Sequence, residues 1–163
     1  MKIRSIMVAL AATAISATGA SAQTNVATQT VNFSIAGIAR IAFTGTPTLA
    51  ITTAVAGSAP TTVSDAVTAT WAVTTNQTNQ KITASINSDM PANTTLTVAL
   101  AAPSGAASAG VKTLALAAVD VVTGITKLNQ NSMVVTYSLA ATSLADEVVS
   151  GSRTVTYTIT PGA

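Results

Sequence analysis

Short runs in which apolar and polar residues alternate with a period of two recur along this chain, and that period narrows the fold more than any other feature. Alternation of this kind puts successive side chains on opposite faces of an extended backbone, so each run describes a strand with one face buried. From Val31 the odd positions read Val31, Phe33, Ile35, Gly37, Ala39, Ile41 and Phe43, against mostly polar or small residues at the even positions. Val67, Ala69, Trp71 and Val73 form a second run, the polar stretch 76–80 turns the chain, and Ile82, Ala84 and Ile86 continue on the return. The pair reads as a hairpin. Further strands are expected at Leu49 to Thr52, at Leu96, Val98 and Leu100, at Val111 to Leu116, at Met133 to Leu139 and at Val155, Tyr157 and Ile159. The stretch Val119 to Leu128 is ambiguous, because Leu114, Ala118, Val121 or Val122, and Ile125 fall at helical spacing, and a turn or one short helical piece is expected after the strand at Val111 to Leu116.

Some eight short strands with turn residues between them and almost no helix imply an all-β protein, an antiparallel sandwich. Composition agrees, because about 28 residues after position 22 are Thr and many others are Val or Ile, whose branched side chains suit a pleated surface better than a helix. With no cysteine in the chain, no disulfide can staple the fold, and stability has to come from one core, with Trp71 expected at its centre. The all-β alternative, a transmembrane barrel, needs an aromatic girdle at each interface, and five aromatic residues cannot supply two.

Lys2 and Arg4, the apolar stretch Ile6 to Ile15 and the small residues Ala20-Ser21-Ala22 have the pattern of a secretory signal peptide. The expected organisation is a signal at 1–22 and a single domain at 23–163, exported through the general secretory route of a bacterium and residing outside the cell or on its surface. The apolar stretch is too short and too interrupted for a retained anchor, and the tail Thr160-Pro161-Gly162-Ala163 is no second hydrophobic segment, so no membrane insertion of the mature chain is expected. Export also changes the charge argument. The net charge of +2 rests on Lys2 and Arg4, and beyond them five cations balance five carboxylates. Balanced, dispersed charge gives no footprint for nucleic acid and little repulsion between copies, so self-association is the expected partnership.

The chemistry available is sparse. Without His or Cys, and with only Asp65, Asp89, Asp120, Asp146 and Glu147 as acids, no nucleophile has a base beside it and no dense oxygen cluster is present. The chain is therefore read as no enzyme, with no catalytic residue, no metal and no cofactor. Asp146-Glu147, the one adjacent acidic pair, is read as a solvated turn.

The run over 29–43 remains as the candidate site, with Val31, Phe33, Ile35, Gly37, Ile41 and Phe43 as its assembly residues. The thirteen alternating residues from Val31 to Phe43 are long for one strand, and Gly37 breaks them in the middle. Either both halves belong to one domain, crossing between sheets at Gly37, or the first half pairs with a neighbouring copy by strand addition. The tail from Arg153 to Thr160 and the stretch from Val134 to Leu139 resemble the final strands of small secreted immunoglobulin-like proteins of bacterial surfaces, such as fimbrial subunits and spore-coat-U-like proteins. The stretch Gln29 to Phe43 is similar to the N-terminal strand that such pilins lend to the next subunit, although many of those subunits carry a disulfide and this chain has none. The resemblance implies an immunoglobulin-like sandwich and a structural subunit of an extracellular filament, coat or matrix, assembling by donation of the N-terminal strand. The alternative is a secreted adhesion or carbohydrate-binding module with a glycan as ligand.

Overall fold

The computed structural model describes residues 25–162, so the expected signal at 1–22 lies outside the described residues. The chain divides into two units, 1–34 and 35–163. In the first, residues 25–34 carry no regular secondary structure and are exposed throughout. The second is all-β, with no helix among the described residues. Its strands are β1 (Ala39–Thr44), β2 (Val63–Thr75), β3 (Gln80–Ile86), β4 (Thr94–Leu100), β5 (Ala107–Ser108), β6 (Lys112–Thr113), β7 (Val119–Ile125), β8 (Leu128–Ala141) and β9 (Val155–Pro161). They form two sheets, ordered β1-β2-β8-β4-β6 and β5-β7-β3-β9, and every pairing is antiparallel.

One hydrophobic core draws on both sheets. Trp71 and Val73 of β2, Val98 and Leu100 of β4 and Val135 of β8 meet Ile82 of β3 and Val121, Val122 and Ile125 of β7, all at 2% exposure or less. Each such side chain removed from water contributes about 1.5–3 kcal/mol. This supports a fold that has no disulfide. Trp71 is buried in this core, as its register with Val73 implies.

The pairing differs from the sequence reading in several places. The expected hairpin is not formed, because β2 joins the first sheet and β3 the second. The polar corner 76–79 carries the chain across from one sheet to the other, and both strands keep their alternation because both face the same core. Residues 119–125 are a strand, where a turn or a short helical piece was expected. Their β-branched side chains prefer it, and the apparent helical spacing comes from a shift in register between β3 and β7 that buries the consecutive residues Val121 and Val122 together. Leu49 to Thr52 forms no strand, although Leu49 packs on the core, and Val111 to Leu116 pairs only over Lys112–Thr113.

Val67 was aligned with Ala69 and Trp71 on the inner face, yet it is 88% exposed. The cause is a bulge in β2, where the register advances from Asp65 opposite Tyr137 to Ala69 opposite Val135, four residues against two. The Asp65 carboxylate holds it, accepting hydrogen bonds from the backbone N–H groups of Val67 and Thr68, both at 2.9 Å, and from the Thr68 hydroxyl at 2.6 Å. These bonds, the Thr68 hydroxyl first, hold the carboxyl below the usual carboxylate range.

Candidate assembly surface

The six residues singled out over 29–43 separate into two groups with Gly37 between them. Ile41 and Phe43 lie on β1, with Phe43 opposite Trp71 and Ile41 opposite Val73, and both pack half-buried against the core. Val31, Phe33 and Ile35 are 74%, 90% and 79% exposed and lie in no strand. The strand expected to begin near residue 29 begins at Ala39 instead. The crossing between sheets at Gly37, the single-domain reading of this run, is not formed. The reason is the length of the partner: β2 ends at Thr75, opposite Ala39, and the chain then turns away.

At that corner a side chain takes over from the ladder. Asn76 Oδ1 accepts from the N–H of Ile38 at 2.7 Å, and its Nδ2 donates to the carbonyl of Ala36 at 2.8 Å. The Ile38 carbonyl accepts from the Asn76 N–H at 3.1 Å and from the hydroxyl of the buried Thr75 at 2.9 Å. Gln77 Nε2 supports Asn76 Oδ1 at 3.0 Å, and the same Nε2 lies 2.6 Å from where a Cβ on Gly37 would stand. Gly37 therefore serves as the place where a side-chain amide crowds the backbone, where the sequence showed only a break in the alternating run.

β1 ends one sheet and β9 ends the other, and the two edges lie on the same side of the domain. They exchange no strand pairing, and aromatic rings span the gap between them. Phe43 stacks on Tyr157 with ring centroids 3.8 Å apart and lies 5.9 Å from Trp71. The Tyr157 hydroxyl is 2.6 Å from that of Tyr137. Burial pushes both tyrosines above the usual phenol range, and for Tyr157 the bond and the proximity of Tyr137 add to it, so this pair is neutral. Trp71 Nε1 is buried with no hydrogen-bond partner, a situation that costs about 1–3 kcal/mol.

Of the four sheet edges, β5 and β6 are two residues long and β1 carries Arg40, but β9 is seven residues long and holds no charged residue. Val155, Tyr157 and Ile159 pack on the core while Thr156 and Thr158 face solvent. One side of β9 pairs with β3, and among the described residues no strand pairs with the other. A long uncharged edge of this kind is a template for another strand. Sequence reasoning expected the strand at β9 but gave neither it nor Asn76 a part in assembly; the uncharged run after Arg153 was the available signal for the first, and nothing marked the second.

Other polar groups are dispersed. Asp146 and Glu147 lie in the connection between β8 and β9, and no three His, Cys, Asp or Glu residues gather among those described. Lys81 and Asp120 form an ion pair at 3.0 Å in partial contact with solvent, worth about 1 kcal/mol at most. A shallow depression of about 380 Å³ is lined by Ala72, Thr74, Asn129, Gln130 and Asn131, with no aromatic ring on which a sugar could stack. No helix of the described residues is long and apolar enough to cross a membrane. No protein-family model matches the chain, and neither a curated protein nor a solved structure matches it.

Proposed function

We propose that this chain is a structural subunit of an extracellular filament, coat or matrix, with an immunoglobulin-like sandwich as its body, and that copies join by strand donation. The segment donated is Val31 to Ile35, and the edge that receives it is β9 of the next copy. The observation that carries the reading is a complementary pair: an alternating apolar segment with Phe33 90% exposed, and a seven-residue edge strand that has no charge and no second partner among the described residues. Pairing would satisfy the edge backbone of β9 and bury Val31, Phe33 and Ile35 along the seam between β9 and β1, gaining both main-chain hydrogen bonds and apolar area. Because the donating and accepting surfaces differ, the contact is heterologous and propagates a chain of subunits.

The test is removal of residues 23–35 from the mature protein. The shortened chain is expected to remain folded and monomeric where the intact chain self-associates, and to bind a synthetic peptide of residues 23–36. Phe33→Asp in the intact chain is expected to abolish association while leaving the unfolding midpoint unchanged. Self-association that survives the deletion, or a deletion product that is unfolded, overturns the proposal.

A further inference from the structure

The geometry points to Asn76 as the residue that fixes where the donated segment begins, an inference that rests on the strand-donation reading above. Two ladder-forming groups of the N-terminal run, the Ala36 carbonyl and the Ile38 N–H, lie past Thr75, the last residue of β2, and are taken up by a single side-chain amide. Asn76 provides one acceptor at 2.7 Å and one donor at 2.8 Å, to a carbonyl and an N–H two residues apart. A residue of a parallel neighbouring strand would offer its own C=O and N–H in the same way. The amide stands in for one more residue of strand, and the ladder stops there.

Three supports hold the amide in place. The Asn76 backbone N–H is tied to the Ile38 carbonyl, Gln77 Nε2 donates to Oδ1, and the Thr75 hydroxyl accepts from the Gln77 N–H at 3.0 Å while donating to the Ile38 carbonyl. Thr75 is only 4% exposed and both of its hydroxyl bonds are made within this corner, so the anchor is continuous with the packed end of β2. Gly37 belongs to the same device, because a methyl group there would meet the Gln77 amide at 2.6 Å and displace it.

The consequence is mechanical. With Ala36 to Ile38 fixed to the domain, the joint between two copies would be only as long as the chain from Ala36 to the first paired residue near Ile35. Without the Asn76 amide the Ile38 carbonyl is still held by the Asn76 N–H and the Thr75 hydroxyl, so the joint extends to Ile38, a gain of two residues and about 7 Å of slack at about 3.3 Å per residue. A joint that long behaves as a flexible linker. Asn76 is thus a positioning residue: it acts on the orientation between subunits and touches neither the donated residues nor β9.

The experiment compares full-length mature wild type with Asn76→Ala and Gly37→Ala. Three readouts are used: amide hydrogen exchange on the monomeric fraction, fibre persistence length by electron microscopy, and binding of a peptide of residues 23–36 to the chain lacking 23–35. In Asn76→Ala, the Ile38 amide is expected to lose protection while Ile41 and Phe43 keep theirs, and fibres should still form with persistence length reduced at least two-fold. Gly37→Ala is expected to move both readouts in the same direction by less. Peptide affinity for the shortened chain carrying Asn76→Ala should be unchanged. Fibres of wild-type stiffness from Asn76→Ala, with Ile38 deprotected, overturn the anchoring role while leaving strand donation intact; failure of the peptide to bind any shortened chain overturns strand donation itself. Should Asn76→Ala lose the protection of Ile41 as well, the residue supports β1 as a whole and the positioning role is also overturned.

Discussion

Replacing Trp71 by Phe and by Ala should give very different costs, and the difference measures how the core treats the buried, unpartnered indole N–H. The side chain is 1% exposed, stacked near Phe43, and its Nε1 has no hydrogen-bond partner. Truncation to Ala removes nearly the whole side chain from the meeting of the two sheets, a change that costs about 3–5 kcal/mol. Phe keeps a ring in the same place and gives up a volume of roughly 40 Å³, which at about 24 cal/mol per Å³ is about 1 kcal/mol of cavity. It also removes the buried N–H, whose unsatisfied state costs about 1–3 kcal/mol. The two contributions offset, so Trp71→Phe is expected to lie within about 1.5 kcal/mol of wild type, whereas Trp71→Ala removes a large part of a total stability of about 5–15 kcal/mol. Equilibrium urea unfolding followed by far-ultraviolet circular dichroism measures both, since neither variant retains the fluorophore. A Phe variant that loses more than about 3 kcal/mol would refute the reasoning, because it would mean the indole N–H is satisfied in the folded protein and its loss carries a full hydrogen-bond cost.

Acid should weaken the bulge in β2. The folded-state pKa of Asp65 lies below its ordinary value, so its contribution is present above the usual carboxylate range and is lost as pH falls through the folded value; Asp65→Asn should flatten that limb of a stability-versus-pH curve. Alkali should act on the tyrosine pair with the opposite sign. Tyr137 and Tyr157 both have raised values, so their contribution is intact below about pH 10, the ordinary phenol value, and is lost as pH rises beyond it; Tyr157→Phe should weaken this alkaline loss in the same titration. Gly45 has φ of +89°, and a Cβ there would collide with the Thr68 carbonyl oxygen. Gly45→Ala is therefore expected to lower stability by more than the ~1 kcal/mol gained at unstrained glycines, read as a fall in the urea midpoint.

What the sequence by itself determined was most of the strands, β2, β3, β4, β8 and β9 among them, and many of the residues that make the core. Trp71, Val73, Ile82, Ile86, Val98, Leu100 and Val135 are buried where their alternation put them, because the side-chain period of a strand is a local property of the backbone. Alternation says that a face is buried, and not against which partner. Only tertiary structure assigned β2 and β3 to different sheets, made a strand of 119–125, and turned Val67 outward through the Asp65 bulge, since each of these depends on a register set by residues far away in the chain. The candidate site divides in the same way. The apolar pattern of Val31 to Phe43 was legible in the sequence, but where it stops being a strand was decided by the end of β2 at Thr75 and by the Asn76 amide just beyond it. A strand lasts only as long as its partner, and the partner's length is written elsewhere in the chain.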